Sequence, residues 1–174
     1  MNGTNQFKGR GFNRFSRRPI YFFSDPPHLV KKLRNNLYNS GFKDNSPRFT
    51  RTLTLNKQYV LWDHIYSVYQ REKRRRLYAT PLRKAHVELD NLSKMRVKLV
   101  VNTLSQKVAD EMKAHENNVT ESTQQYITMC HNLWQVFHDR RPITSVRDPR
   151  IDTLDTVLSF FSDWKASLVS KFKN

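Results

Sequence analysis

All four glycines of this 174-residue chain fall before residue 42, and none follows. Glycine is the residue that enters left-handed turns most freely and weakens helix interiors most. Its confinement therefore divides the chain into an irregular N-terminal stretch and a long remainder that is free to be helical. A chain of this length can bury one core. The hydrophobic fraction of 37% and charged fraction of 26% suit a soluble protein, while a mean hydropathy of -0.76 predicts that part of the length stays unpacked.

Residues 1–19 mix glycine, asparagine and arginine with Phe7, Phe12 and Phe15, and are expected to form a flexible basic arm. Ile20 to Phe23 is a short apolar run that predicts a strand. Pro26 and Pro27 mark a helix entrance, and Leu29, Leu33 and Leu37 extend it over about residues 27–39 to a closure at Gly41. Asp44 to Pro47 carry turn residues, and Phe49 to Leu55 are expected to be extended or loop. Val60, Leu61, Ile65, Val68 and Tyr69 form the apolar stripe of a helix that runs into a basic block.

Asp90 or Ser93 is placed to cap one long helix carrying Val97, Val101, Leu104, Val108 and Met112. Thr120 or Ser122, with Gln125 as a capping-box partner, is expected to start another. Tyr126, Ile127, Cys130, Leu133, Trp134 and Phe137 would be its buried face, with Pro142 ending it. After Pro149, the residues Leu154, Val157, Leu158, Phe161, Trp164 and Leu168 recur at helical spacing. The predicted fold is mainly α, a helical bundle or array, preceded by one β-strand with no partner in this chain.

Lys and Arg number 31 against 15 acidic residues, a net charge of +16. Phosphate backbones are the commonest partner for such a balance, although basic residues also serve simply to solvate helix faces. The block Arg71, Lys73, Arg74, Arg75 and Arg76 has three readings: phosphate contact, nuclear targeting and a solvated helix end. Cys130 is the only cysteine, which excludes an intramolecular disulfide and a cysteine-rich zinc site and fits a reducing compartment. No apolar run approaches the ~20 residues of a membrane span, and the opening residues lack a signal-peptide pattern, so an intracellular protein with no membrane partner is expected. A glycine-rich phosphate loop and a serine nucleophile elbow are both missing from the sequence. His131, Gln135 and His138 share a helix face but supply no third strong ligand for a metal.

The segment Tyr21 to Leu37, YFFSDPPHLVKKLRNNL, resembles the strand and D-x-PHL-(apolar)-K-x-x-R-N signature of P-element-type DNA transposases and their THAP-domain relatives. Trp62-Asp63-His64-Ile65 and Lys94-Met95-Arg96-Val97-Lys98-Leu99 are similar to two helices of that family's GTP-binding insertion domain. The resemblance implies three parts: the basic arm over 1–19, a strand–helix remnant of a ribonuclease-H-like core over 20–41, and a C-terminally incomplete insertion-like domain over 42–174. It implies that Asp25 matches one of three catalytic acids that hold two metal ions, the other two falling outside residues 1–174. A lone carboxylate cannot organise two-metal phosphodiester chemistry, so Mg would act only if the missing core completed the site. Asp25 before two prolines is equally suited to capping a helix.

The same resemblance places Trp134 where an aromatic ring stacks on guanine, Gln135 where an aspartate accepts the two hydrogens of its edge, and His138 where an asparagine stands. An amide accepts only through its oxygen and lacks the charge that roughly doubles such a bond. Asp139, one turn beyond Gln135, is a substitute acceptor or a solvated acid, and Trp134 also continues the apolar stripe. Arg96 or Lys98 is the matching phosphate cation, while a further basic position of the family falls on Pro81. GTP is thus the implied cofactor, bound weakly at best and poorly distinguished from ATP. The expected function is that of a transposase-derived fragment, not catalytically competent alone, nuclear or otherwise intracellular, that meets DNA and self-associates or joins a transposase-like protein. The competing expectation is a stand-alone basic module that binds nucleic acid or protein without nucleotide.

Overall fold

The computed structural model describes residues 10–21, 25–41 and 52–171. It opens with β1 (Arg10–Asn13) and β2 (Arg18–Tyr21), an antiparallel hairpin that pairs Gly11 with Ile20. The strand expected to be unpartnered is therefore paired within the chain where it is described, and its partner comes from what was expected to be a structureless arm. The side chain of Asn13 accepts from the backbone of Phe15 and Ser16, at 2.9 and 3.1 Å. That turn chemistry reverses the chain without glycine, with Arg17 at φ 51°. Phe22 and Phe23, the rest of the predicted strand, lie outside the described residues, as does the predicted turn over Asp44 to Pro47.

Helix α1 (Pro26–Tyr38) begins as expected, with the Asp25 side chain accepting from His28 N at 3.1 Å. Gly41 does not close it through a left-handed residue, since no glycine has positive φ among the described residues. Asn39 N and Ser40 N bond instead to Asn35 O and Leu37 O, at 3.1 and 2.9 Å. A second antiparallel hairpin follows, β3 (Leu53–Leu55) with β4 (Gln58–Val60). Its two-residue turn has Asn56 and Lys57 at φ 50° and 65°, the backbone that matches the right-handed twist of paired strands.

Ser40 joins these pieces. Its Oγ donates to Val60 O at 2.6 Å and accepts from Leu53 N at 2.8 Å, and its carbonyl accepts from Trp62 N at 3.0 Å. Helix α2 (Trp62–Arg75) starts there, so Val60 and Leu61 precede it and do not belong to its stripe. It ends on Arg76 in the left-handed region, with Lys73, Arg74 and Arg75 in its last turn, where cations complement the helix dipole.

After a short α3 (Lys84–Val87), the long helix expected from Asp90 is broken into α4 (Asn91–Met95), α5 (Val97–Thr103) and the head of α6 (Gln106–His138), with Asp90 capping α4 through Ser93 N at 2.6 Å. Arg34, fully buried, supplies a reason: its Nη2 donates to Ser93 O and Lys94 O at 3.2 and 3.0 Å. Those are carbonyls that a continuous helix would offer to its next turn. Burial pulls the Arg34 guanidinium down to about 10, with Tyr38 opposing that shift.

Helix α6 (Gln106–His138) is interrupted at Glu116, which has non-helical φ −143° and ψ 42°. A straight helix would set Gln106 and His131 about 37 Å apart, yet both line one cavity. The chain therefore doubles back at Glu116. Thr120 and Ser122 do not start a helix as expected. Thr120 Oγ1 donates to Glu116 O at 2.6 Å, Ser122 Oγ to Leu55 O at 2.8 Å, and Thr123 Oγ1 accepts from Leu61 N at 3.2 Å and meets His64 Nδ1 at 2.7 Å. This polar face of α6 is buried because it satisfies the backbone at the end of the β3–β4 hairpin.

The core gathers Val30, Leu37, Val60, Ile65, Val68, Leu82, Val100, Met112, Tyr126 and Ile127. Phe137, expected in it, is 42% exposed. Helix α7 (Pro149–Lys171) covers α6 with Phe160, Phe161 and Trp164; the Phe161 and Trp164 rings meet Tyr126 edge-on, and Trp164 Nε1 donates to Thr54 O at 2.6 Å. Leu158 is 65% exposed and departs from the expected stripe. Ser40→Ala should destabilise the chain by about 2–4 kcal/mol, because it leaves the backbone of Leu53 and Val60 unpaired in the interior; urea unfolding followed by circular dichroism measures it.

Candidate functional site

The end of α6 and the start of α7 frame a cavity of about 510 Å³ whose wall includes Asn132, Gln135, His138, Asp139 and Arg150. Two residues singled out from sequence, Gln135 and His138, thus meet in one concavity. Trp134 is partly buried against the core and stacks on His138, with ring centroids 5.1 Å apart and planes at 15°. Its ring serves packing and imidazole stacking together. Gln135 Nε2 lies 3.5 Å from His131 Nε2, so its amide is exposed to a polar neighbour as well as to the cavity.

The one carboxylate in this wall is already engaged. Asp139 Oδ2 accepts from Arg141 Nη2 at 2.7 Å and lies 3.6 Å from Arg150 Nη1. Arg141 bonds hold the Asp139 carboxyl well below the usual carboxylate range. Arg150 in turn bonds Asp148 and donates to Pro142 O at 3.1 Å, and it draws the Asp148 carboxyl down to about 2. Sequence gave no signal for this clamp, because its partners come from a turn and two helix ends. Arg96 and Lys98, the expected phosphate cations, are exposed at the α4–α5 break and line neither this cavity nor the next.

A second cavity, of about 580 Å³, lies between the segment Tyr78–Pro81 and the head of α6, with Asn102, Ser105, Gln106, Lys107 and His131 in its wall. Pro81, the position where the family resemblance lacks its cation, is here. Nothing in the sequence pattern joined Tyr78 to His131. The fold-back of α6 does so.

The basic block divides. Arg71 is 11% exposed in its side chain and pairs with Glu116 at the fold-back, whereas Lys73, Arg74, Arg75 and Arg76 are exposed. Glu72 between them is 2% exposed and accepts from Thr80 N and Oγ1, at 2.7 and 2.8 Å. Cys130 is buried, and that burial pushes its thiol up to about 12, leaving no thiolate for nucleophilic work.

Asp25 is exposed and its carboxylate caps α1. Among the described residues no group of three or more His, Cys, Asp or Glu is placed to hold a metal ion. These donors do not fit a two-metal centre, which needs converging carboxylates. Nor is any described helix long and apolar enough to cross a membrane.

Helical architecture and the sequence words converge on one class, the helical insertion domain of a transposase. The chain belongs to the TNP-like GTP-binding insertion domain family, whose model matches residues 27–148. Among solved structures it is similar to the transposase of the Drosophila P element transposase strand transfer complex, at 20% identity and a TM-score of 0.69. That match covers 88% of this chain and 36% of the transposase chain, so this chain spans about a third of its relative. Comparison with curated protein sequences gives no significant match.

The pairs around Arg150 make stability depend on acid. Asp139 and Asp148 have folded pKa values below their unfolded ones, so their contribution is complete above about pH 4 and is lost as pH falls toward about 2. Thermal unfolding across that window should show a steeper loss for the natural chain than for Asp148→Asn.

Proposed function

We propose that the chain is a transposase-derived GTP-binding insertion module that cannot transpose DNA alone and whose affinity for GTP is weak. The carrying observation is the acceptor chemistry of the first cavity. Gln135 offers one uncharged oxygen there, and Asp139 is spent on Arg141 and Arg150. A guanine edge presents two donors that a free carboxylate would accept together. When bound, the nucleotide would meet Gln135 and His138 with its base, and its phosphates would supply negative charge for the basic chain. A nuclear setting and DNA as partner follow from the transposase likeness and the net charge of +16. Association with a transposase-like protein would provide the catalytic acids that Asp25 lacks beside it, whereas self-association would not.

The test restores the acid. Gln135→Asp should favour GTP over ATP by about 1–3 kcal/mol relative to the natural chain in calorimetric titrations, the scale of a charged hydrogen bond. Tight, GTP-selective binding by the natural chain would refute this account.

A second reading, a basic nucleic-acid module independent of nucleotide, is favoured by the exposed run Lys73 to Arg76. It predicts duplex binding that weakens steeply with salt. Arg74→Ala and Arg75→Ala should each lower the salt slope by about one if both contact phosphate, whereas slopes unaltered by either substitution would remove that role from the helix end.

A further inference from the structure

The second cavity and the cationic end of α2 are neighbours along the chain. Arg76 and Tyr78 are two residues apart, which limits their separation to about 7 Å along the chain. Tyr78 is 47% exposed and lines the cavity. The Arg83 guanidinium carbon lies 4.4 Å from the centre of the Tyr78 ring, and Arg83 Nη1 donates to Thr80 O at 3.4 Å. The ring is thereby held in place from one side. Buried Glu72, through its two bonds to Thr80, fixes the segment that carries it.

Beyond the ring, the wall includes Asn102 and Gln106, whose amide nitrogens meet His86 Nε2 at 3.3 Å and Asp110 Oδ1 at 2.9 Å, the exposed cation Lys107, and the residues Ser105 and His131, whose Oγ and Nδ1 are buried without a hydrogen bond to the protein. A volume of about 580 Å³ falls within the range of small-ligand sites, about 300–1,000 Å³. An aromatic platform, amide readers and cations together suit a nucleotide base with its phosphate.

We propose that this cavity receives an unpaired nucleotide of a single DNA strand, whose base stacks on Tyr78 and whose backbone continues across Lys73, Arg74, Arg75 and Arg76. A free mononucleotide would use the cavity but leave those four exposed cations without phosphates. A duplex would use the cations but could not offer a base to the ring, because its bases are stacked on one another. The strand engages both. This site adjoins the Gln135 cavity at His131 but does not depend on GTP binding there.

The test is fluorescence anisotropy with the full chain, no nucleotide added, and a labelled oligothymidylate or a labelled duplex of equal length. The natural chain should prefer the single strand. Tyr78→Ala, at an exposed position, should weaken single-strand binding by at least about five-fold, the lower end of the loss from one stacked base, while duplex binding changes less than about two-fold. Tyr78→Phe, which keeps the ring, should retain the natural affinity. Equal loss for strand and duplex in Tyr78→Ala, or no loss for the strand, would overturn the proposal. So would thymidine monophosphate binding as tightly as the strand, which would make the cavity a mononucleotide site. Because GTP is absent throughout, failure of the GTP reading leaves this result unaffected, and GTP titration of Tyr78→Ala reports separately on the Gln135 cavity.

Discussion

The reversal of α6 at Glu116 is the constraint on which the remaining geometry rests. Glu116 leaves helical backbone there, its carbonyl is taken by Thr120 Oγ1, and its carboxylate pairs with the largely buried Arg71 of α2. A guanidinium so poorly exposed is stabilised by an anion beside it, and removing that partner would leave an uncompensated charge in the interior. The pairing ties the corner of α6 to α2. From that corner the two segments of α6 lie together, which lets Val108 and Met112 share a core with Ile127 and Cys130. It also brings the head of α6 to His131 and so creates the second cavity.

The two cavities adjoin at a polar contact. His131 lines one, Gln135 lines the other, and their side chains are 3.5 Å apart. The first cavity is closed by the turn between α6 and α7, where Arg141 and Arg150 engage Asp139. Asp139 thus serves local order in the chain between α6 and α7. In the second cavity Lys107 and the Tyr78 ring remain exposed.

Some of this was legible in the sequence. Among the described residues, the glycine-free stretch over 52–171 is helical apart from one hairpin and the connecting segments, and the start of α1 at Pro26 and the end of α6 before Pro142 follow local rules that need no tertiary contact. Gln135 and His138 share a cavity because positions three apart on a helix share a face. The break after Met95 was not legible, because the Arg34 guanidinium that takes the α4 carbonyls is distant in sequence. Nor were the roles of Thr120, Ser122 and Thr123, which look like cap residues but spend their hydroxyls on the α6 backbone, the hairpin and the start of α2.

The sequence by itself determined the helical class, the basic character, the transposase-like words and the residue types on the last turns of α6, since these depend on composition and on spacing along one element. Tertiary structure decided that the N-terminal strand pairs with Arg10–Asn13, that Arg71 is drawn inward while Lys73 to Arg76 stay exposed, and that Tyr78 shares a wall with Lys107 and His131. The physical reason is common to all three. A strand edge, a guanidinium and a cavity wall are each completed by groups from elsewhere in the chain, and only the folding of the backbone at Asn13, Ser40 and Glu116 selects which groups those are.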